Sequence, residues 1–273
     1  MEETGNMYTV DRDVITGTLR EALEPLEYVY AMWEGGSTAM GRMDQWSDID
    51  LAVDVEDDKV EEVFQVAEAA LASLSPIELK YRVPEPTWHG HSQTFYRLSD
   101  AGPFLIVDLG VVKHSSADKL LQAAIHGRQL VYFDKANVVQ SGPLDKEALL
   151  ATISKRLAAL PVIFDMFQSF ALKEVYRRDN ITALSYYQGF TLRPLVEALR
   201  IKHDPVRYNF HARYLYHILP TETVQKLERL FFVSDAEDLL AKREEGEEMF
   251  RQVMASISLD EVRRVLDEQA AEN

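Results

Sequence analysis

Apolar positions recur along this chain with two different periods, and the change from one to the other divides it. Residues 11–26 place apolar side chains at helical spacing and predict an amphipathic helix that ends at Pro25 or shortly after, and the apolar run 28–33 then reads as a strand. Gly35 and Gly36 break that strand. In residues 48–55, Ile49, Leu51, Val53 and Val55 alternate with Asp48, Asp50 and Asp54, a period of two that predicts a strand with one acidic face. Asp57 and Asp58 open an apolar-periodic helix through Val60, Val63, Phe64, Ala67 and Leu71, where carboxylates suit the positive end of the dipole. Residues 77–83, 93–98 and 104–112 are further strand candidates, and in the last a single carboxylate, Asp108, interrupts an otherwise apolar run.

From about Asp118 the pattern turns helical, apart from a short strand predicted at 129–133. Ser141-Gly142-Pro143 is the strongest turn signal and the expected boundary between domains 1–142 and 143–273. Beyond it, helices are expected over residues 145–160, 162–178, 181–202, 212–219, 223–232, 236–255 and 259–270, with Pro161 kinking or dividing the first pair because it lacks an amide donor. There is no repeat at solenoid spacing and no low-complexity tract. The expected fold class is α+β: a small mixed sheet with flanking helices, followed by an all-α helical bundle.

Composition narrows the chemistry. The 273 residues carry 29 Lys and Arg against 45 Asp and Glu, a net charge of −16. Charge of that sign opposes binding of long nucleic acids, whose affinity comes largely from Lys and Arg against phosphates. Residues 1–70 hold 18 of the acids and only 4 basic residues, so most of the imbalance lies in the segment that carries Asp48 and Asp50. The absence of cysteine excludes disulfides, thiolate metal sites and a cysteine nucleophile. The acidic N-terminus lacks the basic-then-apolar order of a signal peptide, and no apolar run reaches the roughly 18 residues of a membrane span; a cytoplasmic protein without membrane partners is expected.

The most informative segment is residues 35–50, GGSTAMGRMDQWSDID. Two glycines after a strand let backbone approach a ligand, and a following Ser at the start of a helix suits a phosphate. Asp48 and Asp50, two apart on a strand, project from one face. Paired oxygen ligands of this kind suit Mg²⁺, which binds through one or two carboxylates and substrate phosphates.

This segment resembles the nucleotidyltransferase superfamily that includes DNA polymerase β, with its Gly-Ser, a spacer of about ten residues and Asp-x-Asp. The superfamily places a third carboxylate on a later neighbouring strand, and Asp108 is the residue to expect there. The Ser-Asp-Ile-Asp form and the chain length look like the aminoglycoside and lincosamide adenylyltransferases, and the stretch 126–132 is similar to the segment that closes their catalytic domain. The resemblance is specific over residues 34–55, fair over 104–133 and weak elsewhere.

It implies a Mg²⁺-dependent transfer of a nucleoside monophosphate, AMP from ATP or its equivalent from another NTP, to a hydroxyl of a small molecule such as an antibiotic. Two metals would be held by Asp48, Asp50 and Asp108, the last also binding the metal that activates the acceptor hydroxyl. Ser37 and Ser47 would bond the β- and γ-phosphates, helped by the amides of Gly36 and Ser37, with Arg42 as a further phosphate candidate in the same segment. Residues 165–215 hold eight basic side chains against five acids, and related enzymes supply a basic residue from the helical domain; Lys173 and Arg213 are the candidates. Trp88, His89 and His91 suit the lining of an acceptor pocket better than a metal site, since no further ligand accompanies the two imidazoles. An aromatic cluster including Tyr186, Tyr187, Phe190 and Tyr208 reads as core or as a stacking surface. Two alternatives stay open: a protein-modifying (AMPylating) antitoxin-like transferase, and a nucleotide-binding regulatory module without turnover. The Arg-x3-His spacings at Arg207–His211 and Arg213–His217 disfavour a fused ribonuclease. The sequence leaves the oligomeric state open.

Overall fold

The computed structural model describes residues 8–271. The chain divides into two compact units, with the break between Pro143 and Leu144. The N-terminal unit opens with α1 (Arg12–Leu23), whose N-cap Asp11 accepts a hydrogen bond from the Val14 amide at 2.9 Å. A six-stranded sheet follows, built from β1 (Val29–Glu34), β2 (Ile49–Val55), β3 (Ile77–Arg82), β4 (Ser92–Leu98), β5 (Val107–Lys113) and β6 (Leu130–Asp134). Its order is β3-β4-β5-β2-β1-β6, with β2 and β5 parallel and the other neighbours antiparallel. Between strands lie α2 (Gly36–Ala39), α3 (Val60–Leu74) and α4 (Ala123–His126).

Ile15, Leu19 and Leu23 of α1 and Val63, Phe64, Ala67 and Leu71 of α3 are buried with the core-facing residues of β1, β2 and β5. Burial of this apolar stripe, at about 1.5–3 kcal/mol per large side chain, is what fixes the sheet beneath the helices. The central parallel pair is thereby immobilised, and it is this pair that carries Asp50 and Asp108.

Two details differ from the sequence pattern. The apolar residues 104–106 precede β5 instead of starting it: Leu105 and Ile106 donate to Gly102 and Phe104 in a turn, and Phe104 is left exposed. The acidic face of β2 is also not uniform. Asp54 is fully buried, and its carboxylate accepts from His114 Nδ1 and Lys119 Nζ, each at 2.6 Å, so that end of the strand carries a structural ion cluster.

The C-terminal unit is helical: α5 (Lys146–Tyr176), α6 (Asn180–Tyr187), a π-helical turn (Gln188–Leu192), α7 (Arg193–His203), α8 (Leu215–Ile218), α9 (Thr221–Phe231), α10 (Ala236–Ala255) and α11 (Leu259–Ala271). Pro161 does not divide α5, which runs through it for 31 residues. One missing amide is outweighed by the buried stripe that continues on both sides of it, Leu150, Ile153, Leu160, Phe164 and Ala171. The π turn is supported by buried Gln168, whose amide donates to Phe190 O at 2.8 Å and whose Oε1 accepts from Thr191 Oγ1 at 2.8 Å.

The helix expected over 212–219 shrinks to the single turn of α8, because residues 204–214 are tied down differently. Arg200 is fully buried; its guanidinium donates to Asp204 Oδ2 at 3.0 Å, to the carbonyls of Arg207 and His211 at 3.1 and 2.6 Å, and to that of Arg213. His211 and Tyr214 adopt left-handed φ values of 53° and 62°, which a continuous helix does not accommodate. Replacing Arg200 by Leu keeps bulk but takes a donor from the carbonyls of Arg207, His211 and Arg213 and a buried cation from Asp204, whose carboxylate keeps Arg207 and Gln269 as partners. We expect a loss of about 3–5 kcal/mol, read from the helical signal in chemical denaturation; a loss below about 1 kcal/mol would show that Arg200 does not organise this loop.

Candidate active site

The site starts where β1 ends. Gly35 donates its amide to the Asp50 carbonyl at 2.8 Å, which brings the following loop across the end of β2. Gly36 then takes φ +52°, and a Cβ at that position would stand 1.6 Å from Asp50 Oδ2 and 2.4 Å from its Cγ. Only glycine allows both the conformation and the approach. The next residue, Ser37, has a buried hydroxyl with no hydrogen-bond partner among the described residues. A buried polar atom left unpaired costs free energy, which makes this hydroxyl a candidate for contact with a ligand.

Beneath the loop lies a network that anchors it. Glu34, the last residue of β1, is 1 % exposed. Its Oε1 accepts from Arg12 and from the Thr38 hydroxyl of α2, and its Oε2 accepts from Tyr132 Oη of β6 at 2.6 Å. The second arm of the Arg12 guanidinium donates to the carbonyls of Ser47, at 3.0 Å, and of Asp48. One buried carboxylate thus connects α1, α2 and β6 and, through Arg12, fixes the backbone that enters the Asp48–Asp50 segment. Tyr132 is driven up to about 12 by burial and then by its bond to Glu34, so it stays a donor at any ordinary pH.

Asp50 and Asp108 are opposite each other in the parallel β2–β5 pair. Adjacent strands in register set such side chains on one face about 4.8 Å apart, measured between strands. Burial raises Asp50 to about 7, with further increments from the charges of Asp48, Asp108 and Glu34, while Arg12 opposes them. Burial likewise raises Asp108 to about 6; its bond to Gln93 opposes the rise and the Asp48 charge adds to it. The Gln93 side-chain nitrogen lies 2.7 and 2.8 Å from the two oxygens of Asp108. Among the described residues, no three His, Cys, Asp or Glu side chains converge closely enough to hold an ion as they stand. The donor chemistry nevertheless fits a hard divalent cation: these are oxygen ligands whose negative charges oppose one another, the arrangement that such an ion relieves.

The remaining residues singled out from the sequence fall in different places. The Ser47 hydroxyl closes a turn, donating to Asp44 Oδ1 at 2.9 Å and accepting from the Asp44 amide at 3.0 Å, so a phosphate would have to compete for it. Arg42 is half-buried just after the glycine loop, its amide bonded to Ser37 O at 2.8 Å. Lys173 and Arg213 belong to the C-terminal unit. The Lys173 ammonium sits 4.0 Å from the Phe170 ring centre, and Arg213 is exposed, with its carbonyl accepting from Arg200. Within the aromatic set, Tyr187 is buried and donates to Leu230 O, whereas Tyr176 and Tyr216 are exposed. Trp88 is 88 % exposed, while His91 is buried with its Nε2 2.8 Å from Asp118 O.

Sequence reasoning passed over Arg12, Glu34, Gln93 and Gln129. The last has a buried Oε1 without a hydrogen-bond partner among the described residues, and a Cβ on Gly35 would stand 3.2 Å from it. Glu34 carried a signal in hindsight, an acid closing an apolar strand directly before two glycines. Gln93 carried none beyond its place on an alternating strand.

Residues 17–99 match the model of the nucleotidyltransferase domain family. No curated protein sequence matches the chain. Among solved structures, the chain is similar to an aminoglycoside 6-adenyltransferase from Bacillus subtilis, at 12% identity and a TM-score of 0.34, covering 96% of this chain and 92% of that one. It is similar also to a spectinomycin adenyltransferase from Enterococcus faecialis, solved with ATP and spectinomycin, at 10% identity and a TM-score of 0.30, covering 95% and 97%.

Proposed function

We propose, for a chain whose residues 17–99 match the nucleotidyltransferase domain, that it transfers a nucleoside monophosphate, AMP from ATP in the first instance, to a hydroxyl group of a small molecule. The observation that carries this reading is the contact of Gly36 with Asp50: a left-handed glycine presses the loop backbone onto a raised carboxylate, and the next residue, Ser37, has a buried hydroxyl without a partner among the described residues. A loop that close to an anion, followed by an unpaired donor, suits a phosphate chain neutralised by cations.

Asp48, Asp50 and Asp108 are the residues that would hold Mg²⁺, one ion or two. Bound there, the metal supplies Lewis-acid activation of the α-phosphate and neutralises the charge of the departing pyrophosphate. The protein's own groups do the positioning. Ser37 donates its hydroxyl to a phosphate oxygen, and the Gly36–Ser37 backbone takes others. Arg12 and Glu34 keep the backbone before Asp50 from shifting as that charge arrives. Asp108 orients the acceptor hydroxyl and takes its proton. The acceptor oxygen forms a bond to the α-phosphorus as the bond from that phosphorus to the bridging oxygen breaks, and pyrophosphate leaves. The acidic N-terminal unit favours a cationic acceptor, because carboxylates raise its local concentration.

Pyrophosphate release from each of the four NTPs, screened with Mg²⁺ against hydroxylated aminocyclitols, sugars and other small metabolites, tests this reading. We expect release with at least one pair, ATP foremost. Labelled ATP with cell lysate then separates acceptors: label in small solutes supports the proposal, label on a protein band supports protein modification, and nucleotide binding without release from any pair supports a regulatory module. No helix among the described residues is long and apolar enough to cross a membrane.

A further inference from the structure

The segment that leads into β4 reaches Asp108 through a chain of hydrogen bonds whose directions are forced. The His91 amide can only donate, and it lies 3.1 Å from His89 Nδ1, so that nitrogen carries the lone pair. A neutral His89 ring therefore has its proton on Nε2, which lies 3.2 Å from Gln93 Oε1. With its carbonyl oxygen engaged by the imidazole, the Gln93 amide can present only its NH₂ group to Asp108, and it does so to both carboxylate oxygens. The reverse orientation would set an oxygen against a carboxylate.

The loop that carries His89 is itself fixed. Thr87 Oγ1 donates to His91 O at 2.6 Å, and the buried His91 ring reaches Asp118 O. Neither His89 nor Gln93 is needed to fill the core; both are half-buried at the edge of the carboxylate site.

We propose that His89 and Gln93 form a positioning relay that holds the Asp108 carboxylate in the orientation that binds a divalent cation, so that residues 87–93 set the cation affinity of that position. The relay rests on the reading of Asp108 as a metal ligand. Carboxylates that bind metals are themselves oriented by hydrogen bonds from a surrounding layer, and loss of such a partner costs about 10- to 100-fold in affinity. The Gln93 NH₂ group bridges both Asp108 oxygens and so fixes the plane of the carboxylate that would hold the ion.

The test is Mn²⁺ binding to the 273-residue chain at pH 7.5, followed by the electron paramagnetic resonance signal of the free ion. The variants are Asp108→Asn, Gln93→Leu, His89→Phe and His89→Gln. We expect Gln93→Leu and His89→Phe to weaken binding about 10- to 100-fold, with an unfolding temperature close to that of the wild type. His89→Gln, which restores an N–H donor without the ring, recovers most of the affinity. If the wild type and Asp108→Asn bind Mn²⁺ equally well or equally poorly, the metal reading of Asp108 fails and the relay fails with it. If Asp108→Asn weakens binding while Gln93→Leu or His89→Phe binds as tightly as the wild type, or tighter, the relay alone is overturned. Equal loss in His89→Phe and His89→Gln also overturns it, because the ring rather than its N–H would then matter.

Discussion

Asp50→Asn abolishes nucleotidyl transfer and, in the same experiment without metal at pH 8, makes the protein more stable. The two effects have one cause. A carboxylate raised from the usual value near 4 to about 7 by burial and by neighbouring acids is one the fold holds charged at a cost. Because the folded value lies above the unfolded one, the native state carries no penalty below about pH 4, accumulates it as the pH rises through about 7, and bears all of it at pH 8. Three units at about 1.4 kcal/mol each set a ceiling near 4 kcal/mol, of which the amide recovers part, about 2–4 kcal/mol. Chemical denaturation of both proteins from pH 4 to pH 8 should show curves that converge at the acid end, separate progressively between about pH 4 and pH 7, and run parallel above that. Mg²⁺ at pH 8 should stabilise the wild type and leave Asp50→Asn unmoved. A variant that loses stability at pH 8, or keeps transfer, would remove Asp50 from the site's chemistry.

Gly36→Ala is the second large effect, and it acts through geometry instead of charge. The new methyl group would lie 1.6 Å from Asp50 Oδ2 on a residue with φ +52°, so either the loop or the carboxylate must move. The left-handed conformation alone costs about 1–2 kcal/mol for a side chain. Displacement of a positioned catalytic group by about 1 Å costs on the order of 100-fold in rate. We expect kcat to fall by at least that factor while the protein still folds, since Gly36 is exposed and the sheet beneath does not depend on it. Steady-state kinetics with circular dichroism checks both halves. Gly41, which also has positive φ but open space around its missing Cβ, is the control: Gly41→Ala should cost some stability and little of kcat.

What could be read from the sequence follows the range of the interactions. All six strands lie close to where alternation and apolar runs place them, because period and burial are local properties. The mixed sheet followed by helices is the fold class those patterns imply. Pro161 misleads because its local cost is overruled by burial along the whole of α5, and residues 212–214 because a distant guanidinium, Arg200, holds them out of helix. The candidate site divides in the same way. Gly36, Ser37, Asp48 and Asp50 lie within one short segment whose order carries its meaning. Arg12 and Glu34 are 22 residues apart, Glu34 and Tyr132 are 98 apart, and Gln93 meets Asp108 across 15. Only the assembled sheet brings these pairs together, so no spacing rule announces them. Local pattern reveals the candidate groups for ligand binding, and tertiary structure reveals the side chains bonded to them.

Displacement at the α-phosphorus is tested by position-specific labelling of ATP. The wild type with Mg²⁺ and a metabolite extract is given ATP labelled at the α- or at the γ-phosphate, and products are resolved by chromatography. We expect α-label to enter an acceptor while γ-label leaves as pyrophosphate, and Asp50→Asn to do neither. Transfer of γ-label to an acceptor, or its release as inorganic phosphate, would contradict it.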